Sequence, residues 1–128
     1  MTDKVGNNID KTIGIVAYVT LIGFIIAIVM NSDKKDEEKK FGAYHLRQSL
    51  GLIITSIGLM IGISIITAIL SAISFGLGLT LSGILFPLMY LGILALLIIG
   101  IINASNGEKK PLPLVGEFIE KTLKNTFE

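Results

Sequence analysis

QSLGLIITSIGLMIGISIITAILSAISFGLGLTLSGILFPLMYLGILALLIIGIINASNG, residues 48–107, decides the fold. These 60 residues carry no charged side chain; Arg47 closes the charges before them and Glu108 reopens them after. One straight helix of this length, at about 1.5 Å per residue, would run about 90 Å, or about three hydrocarbon cores. The run must therefore turn back. The only turn chemistry inside it is Ser74–Gly83, SFGLGLTLSG, with three glycines and three Ser/Thr. The expected arrangement is two membrane spans, about 49–73 and 84–104, with the reversal between them. The second of these carries Pro87 near its start, where a missing N–H costs least. The glycines have no lysine beside them and no GK[ST], so they are not a phosphate cradle.

Working outward, Thr12–Ser32 is a further uncharged run of 21 residues. It is long for a signal peptide and suits a third span, about 12–30. Asn7, Asn8 and Asp10 are candidate helix-start residues, Asp10 the best placed of them. Gly23 and Ala27 form a small-xxx-small pair suited to a close helix contact. Residues 31–48 read as a charged loop. Its first part, NSDKKDEEKK, holds four lysines and four acids, and in a helix would pair Asp36 with Lys40. After the last span, Pro111 and Pro113 stiffen the exit and set up a helix. In the tail, 111–127, Leu114, Val115, Phe118, Ile119, Leu123 and Phe127 share one helical face. Glu117–Lys121 and Glu120–Lys124 form i,i+4 pairs on the other. The expected fold is an all-α integral membrane protein in one domain, residues 1–128, with three transmembrane helices and a C-terminal amphipathic helix lying in the interface.

Composition agrees. The chain is 52% hydrophobic and 16% charged, against about 25% charged in soluble domains. Its net charge of +1 gives no basic field for nucleic acid. Without cysteine, and with one histidine, it offers no disulfide, no thiolate site and no zinc set. No nucleophile with a base and no carboxylate dyad stands out, so neither catalysis nor a cofactor is expected.

Two clusters are candidates for interaction. In FGAYHLRQSL, residues 41–50, Phe41, Tyr44, His45 and Gln48 fall on one helical side where water gives way to lipid. Tyr44, His45, Arg47 and Gln48 form a polar group for another segment, a partner or a lipid, or else an ordinary snorkelling anchor. The second cluster is a face nearly bare of bulk, Gly51, Thr55, Gly58 and Gly62, on which another helix of this chain or of a second copy can dock. Three spans put residues 31–48 and the tail on one side with nine of the eleven Lys and Arg; Lys4 and Lys11 lie on the other. The positive-inside rule then gives an outside N-terminus and a cytoplasmic C-terminus. Arg47 or His45 is expected to meet a tail carboxylate such as Glu117, or the carbonyls near Pro111.

The segment Tyr44-His45-Leu46-Arg47-Gln48-Ser49 leading into a span, and KKPLPLVGEFIEK after the last one, resemble the Tic-twenty-like small membrane proteins. This bacterial family is related to a chloroplast inner-envelope import component and to the magnetosome membrane proteins MamF and MmsF. The resemblance covers roughly residues 12 to 125 and carries over His45, Arg47 and Gln48 as motif residues. It implies a multi-pass protein of the bacterial inner membrane. The expected function is a structural, assembly or accessory subunit of a membrane complex, with lipid and either a second copy or a complex partner as its contacts. The alternative is a pore or transport subunit, akin to protein import, for which Thr20, Thr55, Ser56, Ser64, Thr67 and Ser71 are the mid-span polar groups.

Overall fold

The computed structural model describes residues 9–19 and 21–128. Lys4, Asn7, Asn8 and Thr20 lie outside them. Among the described residues the regular structure is helical: α1 (Thr12–Val19), α2 (Leu21–Ser32), α3 (Asp36–Ile73), α4 (Phe75–Ser105) and α5 (Gly116–Thr122). The chain divides into two compact units. One takes the residues up to Leu52 together with Leu96–Glu128; the other is Ile53–Ala95.

The Ile53–Ala95 unit is built from the later part of α3 and the earlier part of α4. The reversal is shorter than the sequence suggests. It is Ser74 alone, and Gly76, Gly78 and Gly83 are helical. The physical reason is that apolar surroundings offer backbone groups no water, so the helix is kept as long as possible. Ser74 ends α3 and starts α4 at once: its N–H reaches the Leu70 carbonyl (2.8 Å) and its hydroxyl accepts the Leu77 N–H (3.3 Å). Gly78 lies so close to Ser71 that a Cβ there would collide with it. Because α4 begins at Phe75, Pro87 falls in its interior rather than in its first turn. The most apolar stretches of α3 and α4, with mean hydropathy 2.4 and 2.7, are only 11% and 6% buried. A soluble core helix would be mostly covered. These two helices are long and apolar enough to cross a membrane.

The other unit has the opposite character. It packs α1, α2, the start of α3, the end of α4 and the tail around a core that includes Tyr18, Phe24, Phe41, Leu46, Leu112 and Ile119. Residues 12–30, read as a third span, fall on α1 and α2, whose Leu21, Ile22, Ile25, Ile26 and Val29 are exposed. Residues 31–48 are not a loop. The turn is confined to about 33–35, and α3 begins at Asp36. Three acids in its first turn complement the helix dipole, and its lysines are good helix formers. The ion pairs there are Lys34–Glu38 and Glu37–Lys40, rather than Asp36–Lys40. At the far end α4 closes on Gly107, whose φ of 70° lets its N–H return to the Ala104 carbonyl (3.0 Å).

Other glycines differ in the room around them. Gly100 lies against the Tyr18 ring and Gly51 against the Ile119 side chain, where a Cβ has no room. Among the described residues, nothing lies within 4 Å of where a Cβ would stand at Gly58, Gly62 or, on α4, Gly92. Gly51→Ala and Gly100→Ala are each expected to cost about 1–3 kcal/mol through overpacking. Gly58→Ala and Gly62→Ala should stay within about 1 kcal/mol of wild type, on the stabilising side. Thermal unfolding followed by circular dichroism in detergent separates the two pairs.

Candidate functional site

Every residue from Phe41 to Ser49 is buried. A helix normally keeps one face in solvent; this segment has neighbours all round. Its polar side chains therefore have to find partners in different directions, and His45, Arg47, Gln48 and Ser49 hydrogen-bond to segments outside α3.

His45 is fully buried and joins two parts of the chain. Its Nε2 lies 2.8 Å from the Glu108 carbonyl oxygen and its Nδ1 lies 2.9 Å from the Tyr18 hydroxyl. A carbonyl only accepts, so Nε2 carries the proton, Nδ1 offers its lone pair, and Tyr18 donates. The ring is held as one neutral tautomer. Phe41, Tyr18 and Tyr44 meet it edge-on, at ring centroid distances of 4.8, 5.6 and 5.4 Å. His45 precedes the apolar run of α3. Burial pushes its imidazole down from an ordinary 6.5 to about 4; the bond to Glu108 pulls the other way, and Lys109 adds to the downward push.

Arg47 is 4% exposed and gathers the end of the tail. Its Nε donates to Glu120 (2.8 Å), and Nη1 donates to both Glu128 (2.9 Å) and the Thr126 carbonyl (3.2 Å). The Tyr44 ring lies 5.9 Å from the guanidinium. The planar fork suits several acceptors at once, which a lysine cannot match. Gln48, fully buried, ties the start of the tail. It accepts the Leu112 N–H at Oε1 (3.1 Å) and donates from Nε2 to the Gly116 carbonyl (2.9 Å). Ser49 donates to the Ala17 carbonyl of α1. Two buried asparagines extend the pattern, Asn31 donating to the Lys39 carbonyl (3.2 Å) and Asn103 to the Lys110 carbonyl (3.3 Å).

The expected residues thus separate into groups. Tyr44, His45, Arg47 and Gln48 lie together, and Arg47 meets tail carboxylates, those of Glu120 and Glu128 rather than Glu117. Pro111 packs against Gly116, where a Cβ would clash, and the Pro113 carbonyl accepts the Val115 N–H (2.8 Å). Gly51 joins this group through Ile119, whereas Thr55, Gly58 and Gly62 stand in the other unit. The tail departs from the expected amphipathic helix. Only Gly116–Thr122 is helical, and the proposed apolar face splits: Ile119 is buried while Leu114 and Phe118 are exposed. Glu120 turns to Arg47 instead of Lys124 because a buried cation binds a carboxylate more strongly than an exposed one does. Tyr18, Asn31, Asn103, Glu120 and Glu128 were not among the sequence candidates. Tyr18 had a signal, a hydroxyl inside an otherwise apolar run. Glu128 had none, since nothing near it in sequence suggests a partner 81 residues away.

Chemically this arrangement binds its own chain. The bonds of His45, Arg47 and Gln48 described above all go to internal partners. A shallow depression of about 520 Å³ outside Arg47 is rimmed by Glu117, Lys121, Lys124 and Asn125. Among the described residues no group of three or more His, Cys, Asp or Glu is placed to hold a metal ion.

Arg47→Ala leaves Glu120 and Glu128 without their cation. With those carboxylates partly in solvent, a loss of about 2–3 kcal/mol is expected, and faster protease cleavage after Lys110. Arg47→Lys should recover less than half of the loss. Protonation of His45 is disfavoured in the folded state. Its contribution is full above pH 6.5, the unfolded value, and is lost as pH falls through about 4. Hydrogen-exchange protection factors at Glu108 to Lys110 and at Leu112 should therefore fall over that window, and less so in His45→Gln.

A family model described as the magnetosome magnetite crystal formation protein family, MamF and MmsF, matches residues 9–119. That stretch takes in both units, the buried segment of α3 and the first turn of α5. No curated protein matches the chain, and no solved structure does. The match runs over most of its length, and the chain belongs to the magnetosome magnetite crystal formation protein family.

Proposed function

We propose that this chain is a non-catalytic accessory or assembly protein of a bacterial membrane, acting in the magnetosome crystal formation for which its family is named. The observation that carries this reading is the use of the polar groups. The donors and acceptors of His45, Arg47 and Gln48 are taken up in holding α1, α3, the end of α4 and the tail together. A catalytic or transport site keeps such groups aimed at a ligand. Here they build a fixed polar cap, while α3 and α4 present uncovered apolar faces to lipid or to another membrane protein.

In this reading α1 and α2 together make a third span across residues 12–30. The N-terminus is outside, and residues 31–48 and the tail are cytoplasmic, supported by the lysine distribution. The open faces at Gly58 and Gly62 suit a second copy or a complex partner. The second reading, a pore or import-like subunit, has one observation in its favour besides the Tic-twenty-like resemblance. A hollow of about 230 Å³ in the Ile53–Ala95 unit is lined by Ser64, Thr67, Ser71 and Ser82 among apolar neighbours. Thr67 spends its hydroxyl on the Ile63 carbonyl of its own helix (2.8 Å), and none of the four ionises.

In-cell photo-crosslinking from a probe at Ile57 or Leu91, which are 52% and 62% exposed, tests the proposal. The expected result is adducts with a second copy or with another membrane protein. Adducts confined to lipid would overturn the assembly role. Solute flux through vesicles holding the purified protein, absent from empty ones, would move the conclusion to the second reading.

A further inference from the structure

The tail turns outward at Leu114. This leucine is 99% exposed, and its φ of 71° lies in the left-handed region that a branched side chain adopts only at a cost. The conformation is enforced from within. Gln48 holds Leu112 on one side and Gly116 on the other, and the Gly116 N–H closes the turn onto the Leu112 carbonyl (2.9 Å). Four residues on, Phe118 is 72% exposed. Between buried Leu112 and buried Ile119, two large apolar side chains are thus held away from the core by a rigid frame. In water neither the strain nor the exposure has a return.

The position of this pair is fixed by its neighbour. Ile119 packs on Gly51, and Gly51 stands two residues before Ile53, where the uncovered apolar part of α3 begins. Ile119, the residue after Phe118, therefore packs at the end of the buried segment of α3, and Leu114 and Phe118 belong to the turn and helix that this contact anchors. The nearest lysines along the chain, Lys109, Lys110 and Lys121, have stems long enough to reach headgroup phosphates. Glu120 and Glu128 are engaged by Arg47, so Lys109, Lys110, Lys121 and Lys124 outnumber the remaining acids, Glu108 and Glu117, and the flank is net cationic.

We propose that Leu114 and Phe118 form a lipid-inserting wedge, seated in the headgroup and upper acyl region of the leaflet beside α3. The inference rests on the reading of α3 and α4 as membrane spans. A wedge of this kind displaces lipid in one leaflet only and holds the tail to the surface without a long amphipathic helix.

The chain has no tryptophan, so one introduced indole reports its own site. Phe118→Trp, Leu114→Trp and, as a control inside an apolar helix, Leu91→Trp are each reconstituted in phosphatidylcholine–phosphatidylglycerol vesicles. The expected result at 118 and 114 is blue-shifted emission, quenched by lipids brominated near the headgroup end of the acyl chain and protected from aqueous iodide. Water-like emission quenched by iodide at both positions, with Leu91→Trp still quenched by brominated lipid, would overturn the wedge and leave the spans intact. Blue-shifted emission untouched by brominated lipid would also overturn it, since a protein surface would then cover the pair. Loss of lipid quenching at Leu91→Trp itself would overturn the membrane reading beneath both.

Discussion

A helix advances about 100° per residue, so neighbouring side chains point in different directions. In the buried segment of α3 that geometry becomes a constraint on the whole polar unit. His45, Arg47, Gln48 and Ser49 cannot share one partner, and burial forbids leaving any of them unpaired, at about 1–3 kcal/mol for each orphaned neutral group and more for a charge. The directions are closed by several pieces of chain, with α1 and Glu120 each meeting two of the four side chains. Ser49 and His45 reach α1, His45 also reaches the chain just beyond α4, Gln48 takes the start of the tail, and Arg47 takes its end. The unit is assembled around spokes from one helix rather than between two apolar faces.

Backbone carbonyls do much of the accepting. Ala17, Lys39, Glu108, Lys110, Gly116 and Thr126 each receive a buried side-chain donor. Such bonds fix the path of irregular chain that has no helical ladder of its own. They explain how residues 106–115 follow a defined course with two prolines and little apolar burial. Phe24 against Phe127, at a centroid distance of 6.0 Å, adds an aromatic contact between α2 and the tail's last turn.

Two helices long and apolar enough to cross a membrane were legible from residues 48–107, because hydropathy over that length leaves few choices. The His45–Arg47–Gln48 group was legible too, because charged and amide side chains at the edge of an apolar run are costly there. What sequence reading missed was local. It spread the reversal over ten residues because glycine and serine signal turns in water, whereas in apolar surroundings the backbone prefers its helical bonds and Ser74 alone suffices. It read DKKDEEKK as loop because charges are usually solvated, whereas three acids cap a helix start well. It gave the tail one continuous apolar face because helical spacing was assumed throughout, while the turn at Leu114 breaks the register and sends Leu114 and Ile119 to different environments. Partners far apart in sequence, such as Arg47 and Glu128, leave no periodic trace at all.

The one-residue joint at Ser74 bears on how such a chain is made. A reversal with no loop has nothing hydrophilic to haul: between Gln48 and Gly107 no ionised group would have to traverse hydrocarbon. Two helices joined this way can enter hydrocarbon as one apolar stretch, the joint included. The charges that flank the pair, Arg47 before it and Glu108 after it, need not follow it into hydrocarbon.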